Sequence, residues 1–151
     1  MKGFGEKTNA KRKKFPKNQQ TITSDEFIKK AFELHLQGKK LEATKYYQYC
    51  INHDFKDHRI FCNYAGILGE IGRLEEAEAL LNKAVKIKPD YAEGYFNLGI
   101  ILKNLGRLEE AEISCRKAIE IKPDYAEVHS NLGIVLRWLG KLNKAETSFK
   151  K

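Results

Sequence analysis

Proline is scarce, with three in 151 residues, and so is tryptophan, with one. So few helix breakers, together with 32% charged and 42% hydrophobic residues, exclude a disordered or low-complexity chain and fit a soluble helical domain. Cysteine is almost as rare. Cys50, Cys62 and Cys115 are odd in number and lack a C-x-x-C pair, which argues against a disulfide framework or a zinc site and favours a reducing cytoplasm. No run approaches the ~20 apolar residues of a membrane span, and the first residues lack the apolar core of a signal peptide. At 151 residues the expectation is one domain, with no room for a separate catalytic unit.

An excess of charge of one sign is also missing from most of the chain. The net +8 is concentrated in residues 1–20, where seven Lys/Arg face only Glu6. Residues 1–22 therefore read as a basic, disordered tail with the run Lys11-Arg12-Lys13-Lys14 and interleaved Phe4 and Phe15. Such a tail is a solubilising arm or an electrostatic contact to nucleic acid, anionic lipid or an acidic protein. The remainder is nearly neutral.

What is present is a period of 34 residues. Glycine recurs at 38, 72, 106 and 140, alanine at 43, 77, 111 and 145, and a small residue at Ala31, Ala65, Gly99 and Gly133. Residues 58–91 and 92–125 share 17 identities in 34 positions, and 92–117 and 126–151 share 14 in 26. Within a unit, apolar residues step by three and four, as in Tyr95, Leu98, Ile101, Leu102 and Leu105, so each unit is two amphipathic helices. The recurrent glycine suits the left-handed end of the first helix. Pro89 and Pro123 stop the second, and Asp90 with Glu93 and Asp124 with Glu127 are candidate capping boxes for the next; Thr23 with Glu26 is another. Helices are expected near 24–37, 40–54, 58–71, 74–87, 92–105, 108–121, 126–139 and 142–151. These make an all-α fold of about four helix-turn-helix repeats, 24–57, 58–91, 92–125 and an incomplete 126–151, in a domain over 23–151.

The motifs Asn-Leu-Gly, Gly-Arg-Leu-Glu-Glu-Ala-Glu, Lys-Ala-Ile and Lys-Pro-Asp in the third copy resemble the tetratricopeptide repeat. The first copy departs from it, with Phe55 for the terminal proline and Cys50 for the late alanine. The resemblance implies a right-handed α-α superhelix whose first helices line a concave groove that binds peptide or protein segments, and hence a non-enzymatic interaction scaffold with no cofactor. The groove positions it implies include Phe96, Asn97, Ile100 and Lys103 in the third copy and Asn131, Arg137 and Trp138 in the fourth. Asn63, Asn97 and Asn131 fall at one phase and resemble the asparagine ladder in the repeat domain of protein O-linked sugar transferases. An amide both donates and accepts, so it can hold a peptide backbone of any sequence; alternatively these amides bond the neighbouring helix. The family's clamp for C-terminal carboxylates is not matched, since Ile28, Phe32 and Glu127 stand where its cations or amides belong.

Other residues carry plainer expectations. Phe96 and Trp138 are groove anchors, or Trp138 covers the end of the solenoid. Cys50 and Cys115 face the core, whereas Cys62 is expected in the open groove, and His35 and His129 are groove or surface residues. His53, Asp54, Asp57 and His58 lack the spacing of metal ligands. The last repeat stops before its terminal alanine and proline and would expose Leu139, Leu142 and Phe149, which suggests self-association, a covering partner or a remnant of a longer protein. Similar segments precede glycosyltransferase or sulfotransferase domains, so a recruiting segment of a transferase is the second reading. Nucleic-acid association through the tail is the third.

Overall fold

The computed structural model describes residues 23–140, and within them seven helices run in sequence: α1 Ser24–Leu36, α2 Lys40–Asn52, α3 His58–Glu70, α4 Leu74–Ile87, α5 Ala92–Asn104, α6 Leu108–Ile121 and α7 Ala126–Trp138. The expected tail over 1–22 and eighth helix over 142–151 lie outside the described residues. Each expected helix inside that span is present.

The turn between the two helices of a repeat is set by glycine. Gly38, Gly72, Gly106 and Gly140 have φ of 73°, 78°, 78° and 72°, a region that costs a side chain steric strain. The residue after the glycine closes the helix end: Lys39 N–H donates to Leu34 O, Arg73 to Leu68 O and Arg107 to Leu102 O, each at 2.9 Å. These six-to-one bonds satisfy carbonyls that would otherwise lack a partner.

The helix starts vary more. Thr23 and Glu26 form the expected reciprocal capping box. Asp90 and Asp124 do not cap, because the caps are Tyr91 and Tyr125, neither with a side-chain cap bond. Pro-Asp is spent on a reverse turn instead: Tyr91 N–H donates to Lys88 O at 3.2 Å, and Tyr125 N–H to Lys122 O at 3.3 Å. Proline's fixed φ suits the second position of such a turn, which moves the helix start beyond the aspartate. Glu93 is then one residue too early in the helix to complete a box and accepts from the Tyr91 hydroxyl at 3.0 Å. Asp57 is the aspartate that does cap, accepting from Arg59 N–H at 2.9 Å at the start of α3.

Each first helix packs on the second helix of its own repeat, and each second helix on the first helix of the next. In addition α3 packs directly on α5 and α5 on α7, whereas α2, α4 and α6 make no comparable contact with one another among the described residues. First helices in mutual contact and second helices held apart give a curved array with the first helices on the inner side.

The recurrent alanines set the close approach. Ala31, Ala43, Ala65, Ala77 and Ala111 are fully buried, where a larger side chain has no volume to enter. Ala111→Leu should therefore cost about 1 to 3 kcal/mol through overpacking, read as a lowered midpoint in thermal unfolding followed by circular dichroism. Glycines inside helices behave differently from one another. A Cβ on Gly99 would lie 2.8 Å from Cys115 Sγ, whereas one on Gly66 meets nothing within 4 Å. Gly66→Ala should thus stabilise the protein by up to about 1 kcal/mol through helix propensity alone, and a loss of stability in the same assay would contradict that geometry.

Candidate functional site: the inner face of the helical array

On the inner side the exposed stripes of α1, α3, α5 and α7 lie next to one another, and most of the sequence-derived groove residues fall there. Phe96, Asn97, Ile100 and Lys103 on α5 are half-buried, as is Asn63 on α3, whereas Arg137 and Trp138 at the end of α7 are exposed. Trp138 keeps 56% of its surface in solvent. Phe96 packs against Tyr125 with ring centroids 5.2 Å apart, so its ring already has an intramolecular neighbour.

The three asparagines share a phase but not a chemical setting. Asn131 is buried, donating to Cys115 Sγ at 3.3 Å and accepting from Lys103 Nζ at 2.7 Å. Asn97 donates to Cys62 Sγ at 3.1 Å. Asn63 reaches the hydroxyl of Tyr47. One substitution pattern explains the difference: Tyr47, Leu81 and Cys115 occupy the same place in successive repeats. Where that place holds a polar atom, the following asparagine bonds it; where it holds Leu81, Asn97 turns to Cys62 instead. The amides therefore tie adjacent repeats together, and each retains further hydrogen-bonding capacity beyond such a bond.

Cys62 is buried rather than open to the groove, with the α5 asparagine seated over its sulfur. Burial pushes the thiols of Cys62 and Cys115 up, and that of Cys50 up to about 11, so all three are neutral, unreactive core groups at ordinary pH. His129 is also buried, its Nε2 2.8 Å from Pro123 O, a loop-fixing contact rather than a groove contact. Among the described residues no group of three or more His, Cys, Asp or Glu is arranged to hold a metal ion.

On the inner side α3 packs directly on α5 and α5 on α7, and two adjoining cavities of about 370 and 420 Å³ lie between α1 and α3. Such volumes accommodate a side chain or a short stretch of peptide. Phe32, Leu36 and Arg59 line both. Asp57 grips the Arg59 guanidinium through Nε and Nη2, and the guanidinium lies 5.0 Å from the Phe32 ring centre, an arrangement that couples a cation to an aromatic face. Hydrogen bonds from Arg59 in turn hold the Asp57 carboxyl below its usual range against the opposing effect of burial. Asn63, Tyr91 and Glu93 form the far wall of the first cavity, and His35, bonded through Nδ1 to Tyr47 at 2.9 Å, the near one. Burial and nearby Lys40 lower the His35 pKa, which keeps its ring neutral. Ile28 and Phe32 on α1 were visible in the sequence, with Glu127, as the reason the carboxylate clamp fails; Leu36, four residues beyond Phe32, was not singled out. That these α1 residues line a cavity required the packing of α1 beside α3.

This arrangement defines an α-α solenoid with a lined inner surface, and comparison with known proteins narrows the class. The family described as "TPR repeat" matches residues 67–106, and "Tetratricopeptide repeat" matches 92–125. Residues 67–125 thus match tetratricopeptide repeat families, in agreement with the all-α repeat fold. A Plasmodium falciparum Hsp70-Hsp90 organising protein is 38% identical over 63 residues, 42% of this chain and 25% of that protein. A Triticum aestivum Hsp70-Hsp90 organizing protein is 30% identical over 78 residues, 52% of this chain and 13% of that protein. The chain thus spans a quarter or less of the length of these relatives. Among solved structures, a MamA crystal structure aligns with TM-score 0.80 and 19% identity, covering 85% of this chain and 75% of that one. The MamA RS-1 ArsTM double mutant gives TM-score 0.79 at 18% identity over 87% and 74%. At that identity the likeness is one of fold. Among the described residues no helix is long and apolar enough to cross a membrane.

Proposed function

We propose that this protein is a non-enzymatic interaction scaffold that holds a peptide or protein segment along its inner face. The observation that carries this reading is the α1–α3 seam, where Phe32, Leu36 and Arg59 line two adjoining cavities. An apolar floor with an immobilised guanidinium and a few polar groups at its walls is the composition of a recognition pocket. Partial alignment with proteins whose names describe the organising of two others supports the same class. Ile28 and Phe32 make the α1 end suited to an apolar side chain rather than a terminal carboxylate.

The test is a photo-crosslinking amino acid placed at Ile100, on the inner face, or at Ile113, exposed on the second helix α6. Both full-length variants are irradiated in lysate after equal helicity is confirmed. Discrete adducts from position 100 that are absent from position 113, and that weaken on Asn63→Ala with Asn97→Ala, support the groove. Equal adducts from both positions, or adducts from 113 alone, overturn it.

A further inference from the structure

We infer that the inner face of α5 and α7 holds an extended segment of a partner protein that carries a basic residue and, about four or five residues along, an acidic one. This rests on the groove reading and names the chemistry of the segment that the groove takes.

The charges on these two helices are sorted by end. Glu93 of α5 and Glu127 of α7 occupy one early position in successive repeats, and Lys103 and Arg137 occupy one late position. Direct packing of α5 on α7 sets the equivalent positions side by side. Glu93 and Glu127 also converge on the Tyr125 phenol, whose pKa is raised by burial and then by these two carboxylates. The acidic and basic rims are ten residues apart, or about 15 Å along a helix axis. An extended chain covers that distance in about four or five residues.

Among the described residues none of the four charges has an ion-pair partner. Glu93 accepts from the Tyr91 hydroxyl at 3.0 Å, and Lys103 Nζ donates to Asn131 Oδ1 at 2.7 Å, both neutral groups. Glu127 and Arg137 are exposed. Lys122 Nζ lies over the Tyr125 ring, 4.6 Å from its centre, and pairs with neither carboxylate. By contrast Lys40, Arg73, Arg107 and Arg116 each hold a carboxylate. Two unopposed cations on one rim and two unopposed carboxylates on the other are matched by a segment of opposite polarity. The helix dipole does not by itself demand this sorting, because α3 carries Arg59 and Gly69 at the same two positions. Between the rims Ile100 and Ile134 are half-buried, a floor for the apolar side chains between the charged ones. A polyphosphate chain would be repelled by Glu93 and Glu127, so the surface favours a protein segment over nucleic acid.

Selection of a displayed random peptide library against the whole protein tests this. Binders should be enriched over the starting library in a Lys or Arg and an Asp or Glu about four or five residues apart, in either order. Affinity of a selected peptide, read by fluorescence anisotropy, should fall about threefold on Arg137→Glu and about tenfold when Lys103→Glu is added. Arg137 is exposed, so the single variant keeps its fold even if the double variant, which also breaks the bond to Asn131, loses helicity by circular dichroism. Exchanging the acidic residue of the peptide for Lys should restore binding to the charge-reversed variants, an effect that lost stability would not produce. Binders without the charge pairing, binders acidic throughout, or equal affinity for wild type and Arg137→Glu overturn the inference, as does a selection that yields no binder. Crosslinking at position 100 against 113 reads the groove itself, so discrete adducts there beside a failed selection leave the groove reading standing and remove this one.

Discussion

Replacing Tyr47 with alanine should destabilise the protein by about 3 to 5 kcal/mol, the range for removing a large aromatic from a packed core. Its side chain is fully buried at the centre of the first repeat pair. The ring lies 6.1 Å from those of Phe32 and Tyr64 and 5.9 Å from that of His35, and the hydroxyl is bonded to His35 Nδ1. Truncation would leave a cavity behind the α1–α3 seam and free His35, so the walls of that seam should loosen along with the core. Urea unfolding followed by circular dichroism reads the loss; a change below 1 kcal/mol would mean that α1 and α2 close over the gap. Tyr47→Phe separates the ring from its hydroxyl. Burial pushes the Tyr47 phenol up to about 12, against about 10 in an unfolded chain. Below pH 10 both states keep the proton and stability is unaffected. Between pH 10 and 12 the unfolded chain releases it first, so stability falls by about 2 to 3 kcal/mol across that window. Tyr47→Phe should flatten that part of the pH profile, while the fall between pH 9 and 11 from the buried Cys50 thiol remains.

What could be read from the sequence depended on whether a residue's role is settled within its own repeat. Gly38, Gly72 and Gly106 are turn glycines because of bonds one residue away, and the buried alanines follow from helix spacing, so both were legible. Asp90 and Asp124 have the composition of caps, but the preceding proline draws them into a reverse turn, a competition between two local motifs that composition does not rank. The asparagines were found as a repeating phase, yet their partners are set by what the preceding repeat holds at position 47, 81 or 115. Cys62 was misjudged for a related reason: the α5 asparagine of the next repeat covers it. The cavity at the α1–α3 seam was least visible, because it results from how far apart two helices stand. No residue pattern states that spacing, although Ile28 and Phe32 stood out in the sequence as apolar where a carboxylate clamp would need cations or amides.

Leu136→Ala should release the last described helix while leaving the rest of the array folded. Among the described residues two apolar clusters hold the helices together, and the smaller has Cys115, Ala118, Val128, Leu132 and Leu136 as its buried members. Leu136 is 1% exposed, and its truncation should cost about 2 to 5 kcal/mol. In a repeat array that cost falls on the interface containing the lesion, since each repeat is stabilised by its nearest neighbours. Hydrogen exchange should therefore show lost protection across α7 and the facing part of α6, with α3 and α4 nearly unchanged. Leu81→Ala, the same chemical change in the larger cluster, should instead lower protection throughout. Uniform loss in both variants would mean that the array unfolds as one cooperative unit. The distinction bears on binding, because Asn131 of α7 is held by Cys115 and Lys103 and brings the last part of the inner face into register. An array that frays from this end would lose Asn131, Arg137 and Trp138 as a surface while retaining the α1–α3 pocket. The contributions of the two ends to holding a partner can then be measured in one protein.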